Sequence, residues 1–367
     1  MTPLFAVRAA VLAMPMLAGT AGLAAAQDTV NIANWTDYIG ETTLADFEAE
    51  TGIRPNYDVY DSNEVLETRL LAGRSGYDLV VPSDMPFLAQ QVEAGVYQPL
   101  NRDLIPNLRH LDPGLMARAS MADPGNAHAV IYQWGTNGFG YNVDAIAERM
   151  PDAPVDSWAM IFDPEIVSQF ADCGVTLLDS QDEMIPLVLH YLGLDPFTED
   201  SADLAQAEAL LTEIRPYVRY FHSSQYVNDL ANGDICLAAG WSGDVIQAYY
   251  RALEAENGVD IEYTIPTEGT IIWFDMMAIP ADAPNPEAAH AFIDFVLRPD
   301  VMAGISDYVA YANAVPDSWP LMDPEIAGDG SIFPPAEVQD RLFPAQTLSM
   351  PATRERTRLW TRVRTGV

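Results

Sequence analysis

Apolar positions along this chain alternate between runs of period two and runs of helical period, punctuated by glycines and small polar residues. TVNIANW, residues 29–35, reads as a strand, TLADFEAETG as a helix stopped by Gly52, and RPNYDVY as the next strand. SNEVLETRLLAG opens on Ser62 as N-cap and closes on Gly73, while YDLVVPS is too apolar to have a wet face and predicts a strand buried on both sides. A helix PFLAQQVEAG and the short VYQPL follow. After YQWGTNGFGYN a second series begins, with strands in CGVTLLD, VRYF and ICLAAGW. Its helices lie in DSWAMIF, EMIPLVLHYLG, LAQAEALLTEIRPYV, YVNDLANG and DVIQAYYRALEAENG. TIIWFDMMAIP is a further buried strand, and PEAAHAFIDFVLRPDVMAGISDYV is a helical pair split at Pro299. The closing RERTRLWTRVR suits a helix with Leu359, Trp360 and Val363 docked inward. This alternation predicts an α/β protein with mostly parallel sheets covered by helices. No repeat or long linker divides the two series, so several chain crossings and a cleft between two lobes are expected.

Composition narrows what the cleft does. With 367 residues and 49% apolar content the chain can bury a large core. Its first 26 residues combine Arg8, an apolar run and the small-residue ending LAAAQ, which predicts a secretory signal peptide cut near Ala26. No later segment offers about 20 unbroken apolar residues, so a protein not embedded in a membrane is expected. The leader makes Cys173 and Cys236, the two cysteines, candidates for a disulfide rather than a thiol site. Closing that loop contributes ~4 kcal/mol on the chain-entropy model. Net charge is -35, from 18 basic and 53 acidic residues, which makes nucleic acid and anionic membrane poor partners. All the Lys+Arg residues are Arg; a P-loop lysine, a Schiff-base lysine and a lysine general base are excluded within this chain.

In doubly wound sheets ligands collect beyond the carboxyl ends of strands, and those ends here carry acids beside aromatics. The first supplies Trp35, Thr36, Asp37 and Tyr38; YDLVVPSD supplies Ser83 and Asp84; CGVTLLDSQDE supplies Asp179, Asp182 and Glu183. ICLAAGWSGD adds Trp241 and Asp244, and IIWFD adds Trp273 and Asp275. A single Asp after a strand is more often a helix cap, and Asp182 and Asp244 both precede helices. Recurrence at successive strand ends suits an organic cation, which gains roughly 0.5–2 kcal/mol from each ring face and charge-assisted bonds to carboxylates.

At these residues the chain resembles the extracytoplasmic polyamine-binding proteins of ABC importers, most closely their putrescine-binding branch. The similarity spans nearly all of the mature chain and rests on NWTDYI, YDVYDSNEVLETRLLAG, YDLVVPS, GVYQPL, YFHSSQYVNDLANGDICLAAGWSGDV, FIDFVLRPDV and YANA, in that order. It implies a two-lobed periplasmic binding-protein fold of type II whose hinge closes on a diamine and presents the closed form to an inner-membrane ABC permease. It implies a monomer in the periplasm, with no cofactor, no metal and no catalysis. The implied division is residues 27–135 with 273–318 in lobe 1 and 136–272 with 319–367 in lobe 2, hinged near 133–137, 270–275 and 315–320. Carried over by position, Trp35, Tyr38, Trp241, Trp273 and Tyr311 wall the alkyl chain and ammonium groups. Asp37, Glu183, Asp244 and Asp275 take the charged ends, and Thr36, Ser83 and Ser223 add hydrogen bonds. Cys173 and Cys236 match a disulfide of that branch.

Two departures bear on ligand choice. Thr36 and Trp273 look more like the spermidine-binding branch, and PSDMPFL is one residue longer than its counterpart and adds the acid Asp84 to the expected ligand set. Spermidine, cadaverine and agmatine therefore stand as alternatives to putrescine. The rival classes are a carboxylate-based hydrolase and a metal-binding receptor. Against them, the five histidines form no H-x-x-x-H spacing, there is no G-x-S-x-G elbow, and DSQDEM is not an EF-hand loop.

Overall fold

A computed structural model describes residues 29–366, and the expected leader lies outside them. In chain order the elements that frame the site begin with β1 (Thr29–Trp35), α1 (Thr43–Thr51), β2 (Arg54–Tyr60), α2 (Asn63–Leu71) and β3 (Leu79–Val80). Then come β4 (Ala129–Asn142), β5 (Val175–Leu177), α3 (Gln181–Tyr191), β6 (Val218–Phe221), α4 (Gln225–Ala231), β7 (Leu237–Trp241) and α5 (Ser242–Glu254). The last group is β8 (Ile261–Thr264), β9 (Thr270–Ala278), α6 (Pro286–Val296), α7 (Pro299–Val309), β10 (Ala312–Asn313), β11 (Leu342–Pro344) and α8 (Met350–Thr365). The caps behave as their residue types dictate. Gly52 closes α1 at φ 74, Ser62 accepts the Val65 N–H at the start of α2, and Gly73 follows α2 at φ 71.

The strands run in the order β2-β1-β3-β9-β4-β7-β5-β6. β1 is parallel to β2 and β3, and β5 is parallel to β6 and β7. Between these two parallel groups stand β9 and β4, antiparallel to each other and to the strands flanking them. β4 is the joint. Residues 129–136 pair with β9, and Asn137–Tyr141 pair with β7 on the far side, so one strand belongs to both lobes. A Cβ on Gly138 would lie 2.2 Å from the Thr264 carbonyl oxygen, so this position beside β8 needs a glycine.

Three buried clusters follow this division. Lobe 2 holds one, with Phe139, Trp158, Phe162, Leu187, Tyr226 and Trp360 at its centre. The sheet of lobe 1 has one cluster on each face, around Val80, Trp134 and Met276, and around Ile32, Phe47, Phe292 and Ile305. Met322, Ile326 and Ile332 pack into the first of these, while β11 pairs with Thr270–Ile272 and α8 buries Leu359, Trp360 and Val363 in lobe 2. Apolar side chains in 322–332 thus complete the cluster around Val80 and Trp134. Cys173 and Cys236 form a disulfide within lobe 2. Among the described residues no helix is long and apolar enough to cross a membrane.

Candidate functional site

The turn after β1 is pinned on both sides. Trp35 Nε1 donates to the Val81 carbonyl at 2.9 Å, and the Thr36 N–H and hydroxyl both donate to the Tyr60 carbonyl, at 3.0 and 3.3 Å. Asp37 then adopts φ 55, a left-handed conformation that Asp tolerates better than bulkier residues. Trp35 stacks against Tyr60 at 4.9 Å and meets Trp241 of lobe 2 at 5.9 Å. Tyr38 turns inward, its ring edge-on to Tyr132 and to Tyr311. Trp273 on β9 completes the wall, 5.5 Å from Tyr311.

Three carboxylates, Asp275 buried and Asp244 and Glu183 half-buried, are set among these rings, each on a different element. Asp275 of β9 is 4% exposed and accepts from the Ser83 hydroxyl at 2.7 Å, with Asn63 Nδ2 donating in turn to Ser83 Oγ at 3.0 Å. Asp244, in the first turn of α5, accepts from Tyr311 at 2.7 Å and from Tyr226 at 2.9 Å. Glu183, in the first turn of α3, accepts from Trp241 Nε1 at 2.6 Å and from Asn137 Nδ2 at 2.8 Å. The helix N-termini favour the last two carboxylates, and the bonds fix their direction. Burial dominates all the same. It pushes Asp275 up to about 7 and Asp244 up to about 6, and it raises Glu183. Such groups are short of a cation.

Together these residues enclose an interlobe cavity of about 90 Å³. Trp35, Thr36, Asp37, Tyr38, Ser83, Glu183, Ser223, Trp241, Asp244, Trp273, Asp275 and Tyr311 all line it. No Arg or His is among its lining residues, in keeping with an organic cation as its occupant. Asp84 is the exception to the expected set. Its carboxylate turns away behind β9, where Oδ1 accepts the Phe274 N–H at 3.2 Å, and it does not line the cavity. The Asp37 carboxylate lies at the rim and is held by Arg251 at 2.8 Å. The sequence reading passed over Asn63, Glu64, Met85, Phe87 and Gln247, which also line the wall. Asn63 and Glu64 looked like the ordinary first turn of a capped helix, and only their position opposite α3 brings them to the cleft. Among the described residues no group of three His, Cys, Asp or Glu is placed to hold a metal ion.

The lobes touch across this cavity through α5. Besides the Tyr311–Asp244 bond, Gln247 Nε2 donates to the Val309 carbonyl at 2.9 Å, and Gly243 is tight against Tyr311, where a Cβ would lie 2.4 Å from the ring. The Arg251–Asp37 pair closes the outer edge. Its partners are 32% and 55% exposed, so it contributes only about 0.2–1 kcal/mol to closure. Arg251→Ala is expected to shift the ligand-free open to closed ratio by no more than about fivefold. Small-angle scattering should register this as a modest rise in radius of gyration; a large opening would show that the pair does more than its exposure allows.

Residues 42–334 match the family model for bacterial extracellular solute-binding proteins. The chain is 49% identical over 358 residues to the putrescine-binding periplasmic protein SpuD of Pseudomonas aeruginosa, covering 97% of each chain. It is 50% identical over 346 residues to the putrescine-binding periplasmic protein PotF of Escherichia coli, covering 94% of this chain and 93% of that one. Among solved structures it is similar to the spermidine/putrescine ABC transporter substrate-binding protein PotD of Streptococcus pneumoniae. The TM-score there is 0.74 at 25% identity, over 92% of this chain and 99% of the other.

Proposed function

Because the chain belongs to the bacterial extracellular solute-binding proteins, we propose that it captures a protonated diamine, putrescine first among them, and delivers it to an ABC importer. The observation that carries this reading is the cavity itself: carboxylates from both lobes, aromatic walls and no basic lining residue. A slender dication lies against Trp35, Trp241 and Trp273, with one ammonium at Asp275 on lobe 1 and acids of lobe 2 within its reach. Closure is favoured because neutralising both sets of carboxylates requires both walls, and a ligand shifts the open and closed populations only by contacts better made when closed. Export to the periplasm, action as a monomer and the absence of catalysis belong to the same reading. Calorimetric titration with putrescine, cadaverine, agmatine and spermidine tests it. Saturable binding of a diamine recovered chemically intact is expected; no heat with any amine, or a converted product, overturns it.

A longer amine is favoured by one specific feature. The cavity adjoins a second chamber of about 230 Å³, the two sharing Glu64, Pro86, Phe87, Asp182 and Ala345 as wall. Asp182 there is pushed up to about 6 by burial, with Arg356 pulling the other way. If a third nitrogen of a triamine reaches this chamber, Glu64→Gln combined with Asp182→Asn should weaken spermidine roughly tenfold and putrescine by less than about threefold. Equal losses for both amines would place no part of the ligand there.

A further inference from the structure

β9 presents Trp273 and Asp275 to the cavity while Phe274 between them is buried in the core. β4 pairs with it along one edge, and β3 with the chain that follows it meets the other. β3 pairs with β9 at Val80 and Ala278, and the chain stays in that register through Pro82, whose carbonyl accepts the Met276 N–H at 2.8 Å, and Ser83, which bridges Asp275, before it departs. The next outward N–H of β9 is that of Phe274. A buried N–H without an acceptor is costly, and here the acceptor is a side chain, Asp84 Oδ1, which takes over where the main chain of β3 has gone. Asp84 is 5% exposed and backs onto a separate chamber of about 210 Å³ bordered by Arg118 and Leu342. Burial pushes its carboxyl up to about 7, so the position carries a desolvation cost that a solvent-facing acid would not.

The same segment makes a wall of the site. Ser83 Oγ reaches Asp275 Oδ1, Met85, Pro86 and Phe87 line the cavity, and the Leu88 N–H returns to the Ser83 carbonyl at 3.0 Å. Asp84 adds the last tie between this wall and the strand bearing Trp273 and Asp275, beyond those made by Pro82 and Ser83. We propose that Asp84 is a positioning residue of the amine site: by accepting the Phe274 N–H it sets the spacing between the Met85–Phe87 wall and β9, and so the length of diamine the cavity accepts. This rests on the amine-binding reading above. It assigns Asp84 no contact with ligand.

The proposal makes the oxygen acceptor, rather than the charge, the working part. Asp84→Asn keeps an acceptor of the same reach, so it should hold putrescine affinity within about threefold and preserve the putrescine to cadaverine preference. Asp84→Ala leaves Phe274 unpartnered and should weaken putrescine about tenfold while narrowing that preference. A merely structural role would lower the melting temperature of the alanine variant and leave the preference unmoved. Amide hydrogen exchange at Phe274 supplies a readout without ligand: protection retained in Asp84→Asn and lost in Asp84→Ala, or in Asp84→Ser should the alanine variant not fold. Unchanged preference in Asp84→Ala, an asparagine variant as impaired as the alanine one, or a Phe274 amide indifferent to residue 84 overturns the proposal. Failure of the unaltered protein to bind any amine would instead overturn the functional reading, with the exchange measurement still deciding whether Asp84 pins β9.

Discussion

Asp275→Asn is expected to weaken putrescine binding by roughly thirty- to a thousandfold, the range that follows from about 2–4 kcal/mol for truncating one side of a buried charge pair. The carboxylate is 4% exposed, and no Arg or His lines the cavity to neutralise it in the ligand's place. An asparagine keeps an oxygen for Ser83 but brings an amide that offers hydrogens toward a cation, and the ammonium loses its charged partner where water cannot replace it. Asp37→Asn is the internal control. Its carboxylate is 55% exposed and already paired with Arg251, so its loss should cost about 1 kcal/mol or less. Stability should move the other way. Burial places the Asp275 carboxyl at about 7, so its ionised form destabilises the empty protein at neutral pH, and the neutral amide relieves that strain. Calorimetry and thermal melts together decide the matter: a variant that binds within threefold of the parent, or that loses affinity only because it has lost its fold, removes Asp275 from the role assigned to it.

Glu183 and Asp244 follow β5 and β7, so their place beyond strand ends was readable in the sequence; Asp275 stands within β9, antiparallel to β3, and reaches the cavity from mid-strand. The partners of these acids were not readable. Asn137 reaches Glu183 from the middle of β4, a strand the pattern of residues did not announce. Its run AVIYQWGTNGFGYN carries Gly135, Gly138 and Gly140, which look like loop punctuation until Tyr263, Thr264, Val245 and Trp273 are seen to fill the space their missing side chains leave. Long-range pairings were equally silent. Arg251 and Asp37 lie 214 residues apart, and nothing local marks either as the other's partner.

Asp84 and Asp37 show why an acid near a binding cleft is a weak predictor of ligand contact. Both stand beside residues that line the cavity wall, Ser83 in one case and Thr36 and Tyr38 in the other, yet one carboxylate serves a strand amide and the other a cross-lobe arginine. The direction of a side chain depends on which neighbouring donor lacks a partner, and that is fixed by where β3 stops and where α5 runs. Acids beside aromatics at strand ends pointed to a cation; the hydrogen-bond accounting shows which carboxylates are already engaged elsewhere.

Affinity for a diamine is expected to fall about a hundred- to a thousandfold between pH 7.5 and pH 5, with the sign set by the empty cavity. Asp275 at about 7 and Asp244 at about 6 are both raised chiefly by burial, so each holds a proton over part of this range when no cation is present. An ammonium binds the ionised forms, and every proton that must leave first lowers log affinity by about one unit for each pH unit below the empty-state value. The melting temperature should cross over. In the empty protein the folded state binds more protons than the unfolded one between about pH 4 and 7, so these groups make it less stable as pH rises through that window. In the loaded protein the cation pulls both carboxyls back down, and the penalty disappears. Ligand should therefore raise the melting temperature strongly at pH 7.5 and little at pH 5. Titrations in buffers of different ionisation enthalpy should also show protons released on binding near pH 6. An affinity flat from pH 5 to 7.5, or proton uptake in place of release, would mean that these carboxyls are ionised before the ligand arrives and that burial alone does not govern the site.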